Sequence, residues 1–321
     1  MKTLFFCFNQ IHFIQYKYLL KNVLSKDDLL LAAPMNYSSD FDIECNPGDF
    51  KEIIKSNMIF SLLNFIKQNN ISTIFISDVN FNLFNLLASS VSKVGYEVKI
   101  QFYYDGLANI IDEKMTPTDK FKDIIKYVIA KLYKLKYSIR SHYRNGKDLD
   151  KFSQYCTRKI QSLGKAALIE EFGDKIINRA PKNKNLIIYI SQEQPQNTRN
   201  YNVFLTNSLN ALAKQYPDYE ILVLDRPSSV KFRLEEFNYI DRLSDVEPAE
   251  SVCIRLEPSI IVSTTSTTLI NMKLLNTRSK LICFDLVTFC KVFKENDYGA
   301  HKRGFLENNI DILTPEAYSN L

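Results

Sequence analysis

The chain has 321 residues, of which 45% are hydrophobic and 24% charged, a composition that excludes a disordered chain and leaves room for two cores. Its net charge of +5 is too mild and too spread out to define a nucleic-acid surface. Six cysteines without a CxxC pair, and three histidines far apart in sequence, make no metal signature; most of the cysteines lie in apolar runs, where buried reduced thiols are expected.

The opening run LFFCF is interrupted by Asn9, Gln10 and His12, and no small-residue cleavage site follows. It therefore reads as a buried strand entering a helix around Gln10–Asn22, not as a signal peptide. No stretch reaches the roughly 18 apolar residues of a membrane span, so a soluble cytoplasmic protein is the expectation. DLLLAAP is a second strand, followed after a polar loop by a helix over Phe50–Gln68. STIFISD precedes a helix over Phe81–Val94, and EVKIQFYYDG is the next strand. Strands that lack period-2 alternation, each followed by a helix, predict a parallel sheet covered on both faces, in a Rossmann-like half.

The segment 119–144 is basic and amphipathic. Phe121, Ile124, Ile125, Val128, Leu132, Leu135 and Ile139 recur at helical spacing. Lys120, Lys122, Lys126, Lys131, Lys134, Lys136, Arg140 and Arg144 stand against Asp119 and Asp123. Two readings fit: a core-packed helix with a solvated face, or a helix that lies on anionic lipid.

The α/β pattern restarts after APKNKN (Ala180–Asn185), which reads as a linker. NLIIYIS (Asn185–Ser191), YEILVLD (Tyr219–Asp225), SIIVST (Ser259–Thr264) and KLICFD (Lys280–Asp285) are strands, with a helix over Asn200–Gln215. The expected division is a domain over 1–183 that includes the basic helix, and a second over 184–321. Two such halves facing one another make a cleft. The sequence after Phe305 gives little signal.

Ligands bind outside the carboxyl ends of parallel strands, and three strand ends carry polar residues. Tyr104-Asp105-Gly106 ends one; the glycine permits a turn that leaves the carboxylate in the crevice, where it could take a proton, although a plain strand-to-loop turn also uses Asp and Gly. Asp225-Arg226-Pro227 ends another, and a guanidinium suits a phosphate. In Val246–Leu269 a helix carrying Glu250 leads into a strand and then into STTSTT (263–268) ahead of a helix at Leu269–Leu275. Hydroxyls and backbone N–H groups at a helix start form an anion site; a simple Ser/Thr cap accounts for one or two of the six. GxGxxG, Walker and GxSxG sequences are absent, which argues against a dinucleotide-cofactor enzyme or a P-loop NTPase.

These three motifs, in this order on two Rossmann-like halves, resemble the bacterial sialyltransferases, nearest to the lipooligosaccharide sialyltransferase family and the related bacterial polysialyltransferases. Those proteins share an acid-acid-Gly motif, then His-Pro, then a paired Ser/Thr turn. The resemblance implies an inverting GT-B glycosyltransferase that uses a CMP-activated nonulosonic acid, with no metal and no cofactor. It implies Asp105 as general base beside Gly106, with Tyr104 in place of the first acid. Arg226-Pro227 stands where His-Pro is expected; an Arg neutralises a phosphate but is no general acid at neutral pH. Glu250 resembles the acid that binds the cytidine and its ribose, and Ser266, Thr267 and Thr268 resemble the phosphate-binding hydroxyls. Gln192 and Gln194, in YISQEQPQN, are hydrogen-bonding candidates toward the donor. The implied partners are a CMP-sugar and an oligosaccharide or glycolipid acceptor of the bacterial surface, with peripheral contact with the inner membrane face and a homodimer as further expectations and no nucleic acid. Arg226 also fits another donor, CMP-Kdo or a nucleoside-diphosphate sugar, and an inactive membrane-surface scaffold of the same fold is the non-enzyme alternative.

Overall fold

The computed structural model describes residues 2–7, 10–25, 28–32, 59–77, 94–103, 121, 124–125, 128, 156–158, 160–176, 181, 183–192, 198–225, 234–243, 247–293 and 298–314. The chain divides into two units, Met1–Glu170 and Glu171–Leu321.

In the first unit, strand β1 (Lys2–Phe6) leads into helix α1 (Gln10–Asn22), followed by β2 (Leu29–Ala32), α2 (Ile59–Gln68), β3 (Ile71–Ser77), β4 (Lys99–Tyr103), β5 (Cys156–Arg158) and α3 (Ile160–Ile176), which crosses into the second unit. The strands form one parallel sheet in the order β2-β1-β3-β4-β5. Consecutive residues Leu4, Phe5 and Phe6 are all fully buried. Because successive side chains point to opposite faces, both faces of the sheet are covered, which is why these strands show no alternation. Phe5 stacks on Tyr103 at 4.8 Å between ring centroids and on Phe75 at 5.8 Å. The predicted Phe81–Val94 helix lies, except for Val94, outside the described residues.

The second unit contains β6 (Asn183–Ile190), α4 (Thr198–Gln215), β7 (Glu220–Leu224), β8 (Asn238–Tyr239), α5 (Ala249–Leu256), β9 (Pro258–Ser263), α6 (Thr267–Leu274), β10 (Lys280–Phe284), α7 (Leu286–Phe293), α8 (Tyr298–Glu307) and β11 (Asp311–Leu313). Its sheet is again parallel throughout, in the order β11-β10-β9-β6-β7-β8. Ile187, Tyr189, Val223, Ile260, Val262 and Ile282 pack with Tyr201, Phe204, Leu205, Leu209 and Leu212 of α4 into one core. Burying side chains of this size removes about 1.5–3 kcal/mol of apolar exposure each. The strand β6 begins at Asn183, so the last three residues of the segment Ala180–Asn185, expected as a linker, belong to a strand.

Cys253 and Cys283 are buried free thiols, and burial pushes both thiol pKa values up. Among the described residues no helix is long and apolar enough to cross a membrane. Phe121, Ile124, Ile125 and Val128 are helical, but their side chains are 64, 50, 44 and 50% exposed. This departs from the core-packed reading of the basic segment, which needs that stripe buried.

Candidate functional site

In an open parallel sheet the crevice opens where the strand order reverses, because the two neighbouring connections leave on opposite faces. In the second unit the chain runs outward through β6-β7-β8, then returns to the other side of β6 and runs outward through β9-β10-β11. Numbered within the unit this is the 3-2-1-4-5-6 order of dinucleotide-binding sheets. The reversal lies between β6 and β9, where Ile190 pairs with Ser263. The residues just beyond that pair are Ser191 and Gln192 on one side and the 264–268 turn on the other.

The structure divides the six hydroxyls of STTSTT. Ser263 Oγ donates to the carbonyl of Ile190 at 2.7 Å, which ties β9 to β6 at their ends. Thr264 Oγ1 lies 3.4 Å from the hydroxyl of Tyr189, and its carbonyl accepts from Cys283 Sγ at 3.0 Å. Ser266 is the N-cap of α6, with extended backbone and a side chain that accepts from the Thr268 N–H at 3.2 Å. Ser263, Thr264, Ser266 and Thr268 are buried, whereas Thr265 and Thr267 are half-buried. The internal bonds of Ser263, Thr264 and Ser266 are structural, and Thr265 and Thr267 are the more exposed residues of the turn.

Across the reversal, Tyr201 of α4 organises the end of β6. Its hydroxyl pairs with Ser191 Oγ at 2.8 Å and accepts from the Gln192 N–H at 2.9 Å. Gln192 is half-buried and donates Nε2 to the Ser191 carbonyl at 3.1 Å. Burial raises the Tyr189 phenol well above its ordinary pKa, with Tyr201 adding to the shift, so Tyr189 stays a neutral hydroxyl partner for Thr264. Gln194 lies outside the described residues.

Glu250 sits in the first turn of α5, 3% exposed, and accepts from Asn271 Nδ2 of α6 at 2.8 Å. The structure thus joins two of the predicted features: Glu250 is tied to the helix that Ser266, Thr267 and Thr268 begin. The third feature is partly in view. The described chain reaches Asp225 directly after β7, and Arg226 and Pro227 lie outside it. A different guanidinium holds this strand end. Arg242 donates Nη2 to the Asp225 carbonyl at 2.6 Å and Nη1 to the Glu247 carbonyl. Glu247 is buried; its carboxylate accepts from the Leu243 N–H at 2.8 Å and from Arg255 at 3.2 and 3.3 Å. Burial lowers the Arg242 pKa, and Glu247, Glu250 and Asp225 oppose that shift. This role of Arg242 was not legible in the sequence, since its partners are backbone carbonyls 5 and 17 residues away.

In the first unit the strand order reverses between β1 and β3, the 2-1-3-4-5 arrangement. Asp105 and Gly106 lie outside the described residues, two and three positions beyond the end of β4. At that end Tyr103 is fully buried, and its hydroxyl lies 3.2 Å from Nδ1 of His12, which is also buried. Their rings approach to 4.5 Å. This pair fixes the last residue of β4 against the start of α1. In the sequence His12 shows only as one of the polar residues that interrupt the opening apolar run, in the first turn of the helix after the first strand.

Asp285, at the end of β10, is fully buried with φ of 53°, a left-handed conformation that Asp tolerates better than most residues. Its Oδ2 accepts from Ser208 Oγ at 3.3 Å. Burial raises its pKa, and hydrogen bonds from Thr288 and Ser208 lower it in part. Among the described residues no three His, Cys, Asp or Glu side chains cluster as metal ligands.

The chain matches no protein-family model and no curated protein sequence. Among solved structures it is similar to the alpha/beta-galactoside alpha-2,3-sialyltransferase of the luminous marine bacterium Photobacterium phosphoreum, at 12% identity over 98% of this chain and 99% of that chain, with a TM-score of 0.47. An overlap of that size assigns neither family nor activity.

Proposed function

We propose that this protein is an inverting, metal-independent glycosyltransferase of GT-B arrangement. It moves sialic acid, or a related nonulosonic acid, from a CMP-sugar to a bacterial surface glycan such as lipopolysaccharide, O-antigen or capsule. The observation that carries the reading is the 263–268 turn at the strand-order reversal of the second sheet, with half-buried Thr265 and Thr267 at the start of α6 and Glu250 bonded to that helix. A helix start with hydroxyls at a reversal point suits a phosphate. The order of the YDG, RP and STTSTT motifs supplies the sugar-nucleotide class.

In the proposed reaction an acceptor hydroxyl attacks the anomeric carbon while the bond from that carbon to the phosphate oxygen breaks. Asp105 takes the hydroxyl proton, and CMP leaves as the anion with the bonding electrons. Negative charge therefore grows on the phosphate. Arg226, Thr265 and Thr267 with the α6 N-terminus would stabilise it, Ser266 and Thr268 would shape that helix start, and Gln192, Gln194, Pro227 and Glu250 would line the donor. The reading assigns the base to the first unit and the phosphate contacts to the second.

Arg226 in place of histidine favours a second reading, with CMP-Kdo or a nucleoside-diphosphate sugar as donor. Incubation with a panel of nucleotide sugars and a chelator, with assay for released CMP, UDP and GDP, separates the two. CMP release from CMP-sialic acid, dependent on a glycan acceptor, is expected; release of UDP or GDP alone would overturn the first reading.

A further inference from the structure

Nine large apolar side chains among the described residues are exposed, and five of them, Val23, Ile169, Val203, Leu243 and Leu306, are scattered along the chain. Single exposed apolar residues are ordinary on a protein surface. The other four, Phe121, Ile124, Ile125 and Val128, fall within eight residues. All four are helical and follow the i, i+3, i+4, i+7 spacing that puts them on one face. A contiguous apolar stripe left in water marks a surface that something covers.

The sequence around the stripe gives the sign of what covers it. Eight Lys and Arg residues over 120–144 face two acids, Asp119 and Asp123, and between Asp123 and Asp148 there is no acid at all. A helix made to face solvent usually mixes signs, so that lysines find a carboxylate one turn away. Here Lys131, Lys134, Lys136 and Arg140 have none in sequence reach, and Tyr127, Tyr133 and Tyr137 are interleaved with the basic residues. The sequence also continues the apolar spacing through Leu132, Leu135 and Ile139. A basic sequence that carries an exposed apolar stripe and several tyrosines matches the boundary of an anionic bilayer: acyl chains below, phosphate headgroups around, and phenol rings at the headgroup level. We infer that the face formed by Phe121, Ile124, Ile125 and Val128 docks on an anionic lipid surface. This stands apart from the donor chemistry proposed above.

The chain has no Trp, so F121W carries a single reporter on the face itself. Its emission is expected to shift to the blue and saturate when titrated with phosphatidylcholine–phosphatidylglycerol vesicles, to stay unchanged with phosphatidylcholine alone, and to revert with added salt. In the F121W background, I124E/I125E and K122E/K126E should each lower the apparent vesicle affinity by about tenfold or more. Equal shifts with both vesicles, or none with either, would overturn the inference. So would an I124E/I125E chain that loses its far-UV dichroism, since that face would then be packed inside the protein. Sedimentation velocity supplies the last arm: a dimer that I124E/I125E converts to monomer would identify a second copy as the cover and reject lipid.

Discussion

The two sheets solve the same geometric problem with different chemistry at their ends. At the reversal of the second sheet, strand ends are joined by polar bonds: Ser263 to Ile190, Thr264 to Tyr189, Tyr201 to Ser191 and Gln192. In the first, the end of β4 is held mainly by rings, Phe5 on Tyr103 and Tyr103 on His12, with one polar contact between the Tyr103 hydroxyl and His12 Nδ1. A hydrogen-bonded end keeps hydroxyls and N–H groups at fixed positions, as binding an anion requires. The difference teaches that a polar run at a sheet edge is not all binding surface, because much of it is spent on joining strands.

The largest effect tests the clamp behind the second sheet. Glu247→Ala leaves Arg255 and the Leu243 N–H without their carboxylate and should cost about 2–3 kcal/mol in urea unfolding, less than breaking a fully buried pair because the Arg255 side chain remains 33% exposed. A loss near zero would make the clamp incidental. The next pair splits structural from binding hydroxyls within one turn. Ser266→Ala should cost about 1 kcal/mol through the lost cap. Thr265→Val should change stability by less than about 0.5 kcal/mol yet weaken CMP-donor binding in calorimetry. The reverse pattern would exchange their roles.

The smallest effect is pH-dependent. Burial makes the raised pKa of Asp285 a cost at neutral pH, since the ionised form is disfavoured in the folded chain. The stability tied to its neutral form is fully present below the ordinary carboxylate pKa and is lost as pH rises through the raised folded value. Asp285→Asn keeps a capping side chain that tolerates positive φ. It should therefore unfold at a slightly higher temperature than wild type at pH 7, with the gap closing as pH falls below about 4. A gap that widens on acidification would contradict the sign.

Strand order was not written in the sequence, but strand identity was. LIIYI, ILVL and IIVS read as buried strands because each is an unbroken apolar run, and each forms where expected. The edge strands β5, β8 and β11, two or three residues long, carry too few apolar residues to show a period. Helices α7 and α8 follow the last strong strand signal, in a region that reads without motif. The hydroxyl run was visible at once, and so was a Ser/Thr cap within it, which Ser266 supplies; that Ser263 and Thr264 serve the fold could not be, because their partners Ile190 and Tyr189 become neighbours through strand pairing. His12 with Tyr103, and Arg242 with Asp225, escaped for the same reason, as contacts between residues that no local pattern links.

The division of labour between the units is tested most directly by Asp105→Asn, with CMP-donor affinity measured by calorimetry and sugar transfer by CMP release on the same preparation. The account predicts that transfer falls by at least about a hundredfold while donor affinity is unchanged. Transfer at the wild-type rate, or donor binding lost in step with transfer, would contradict it.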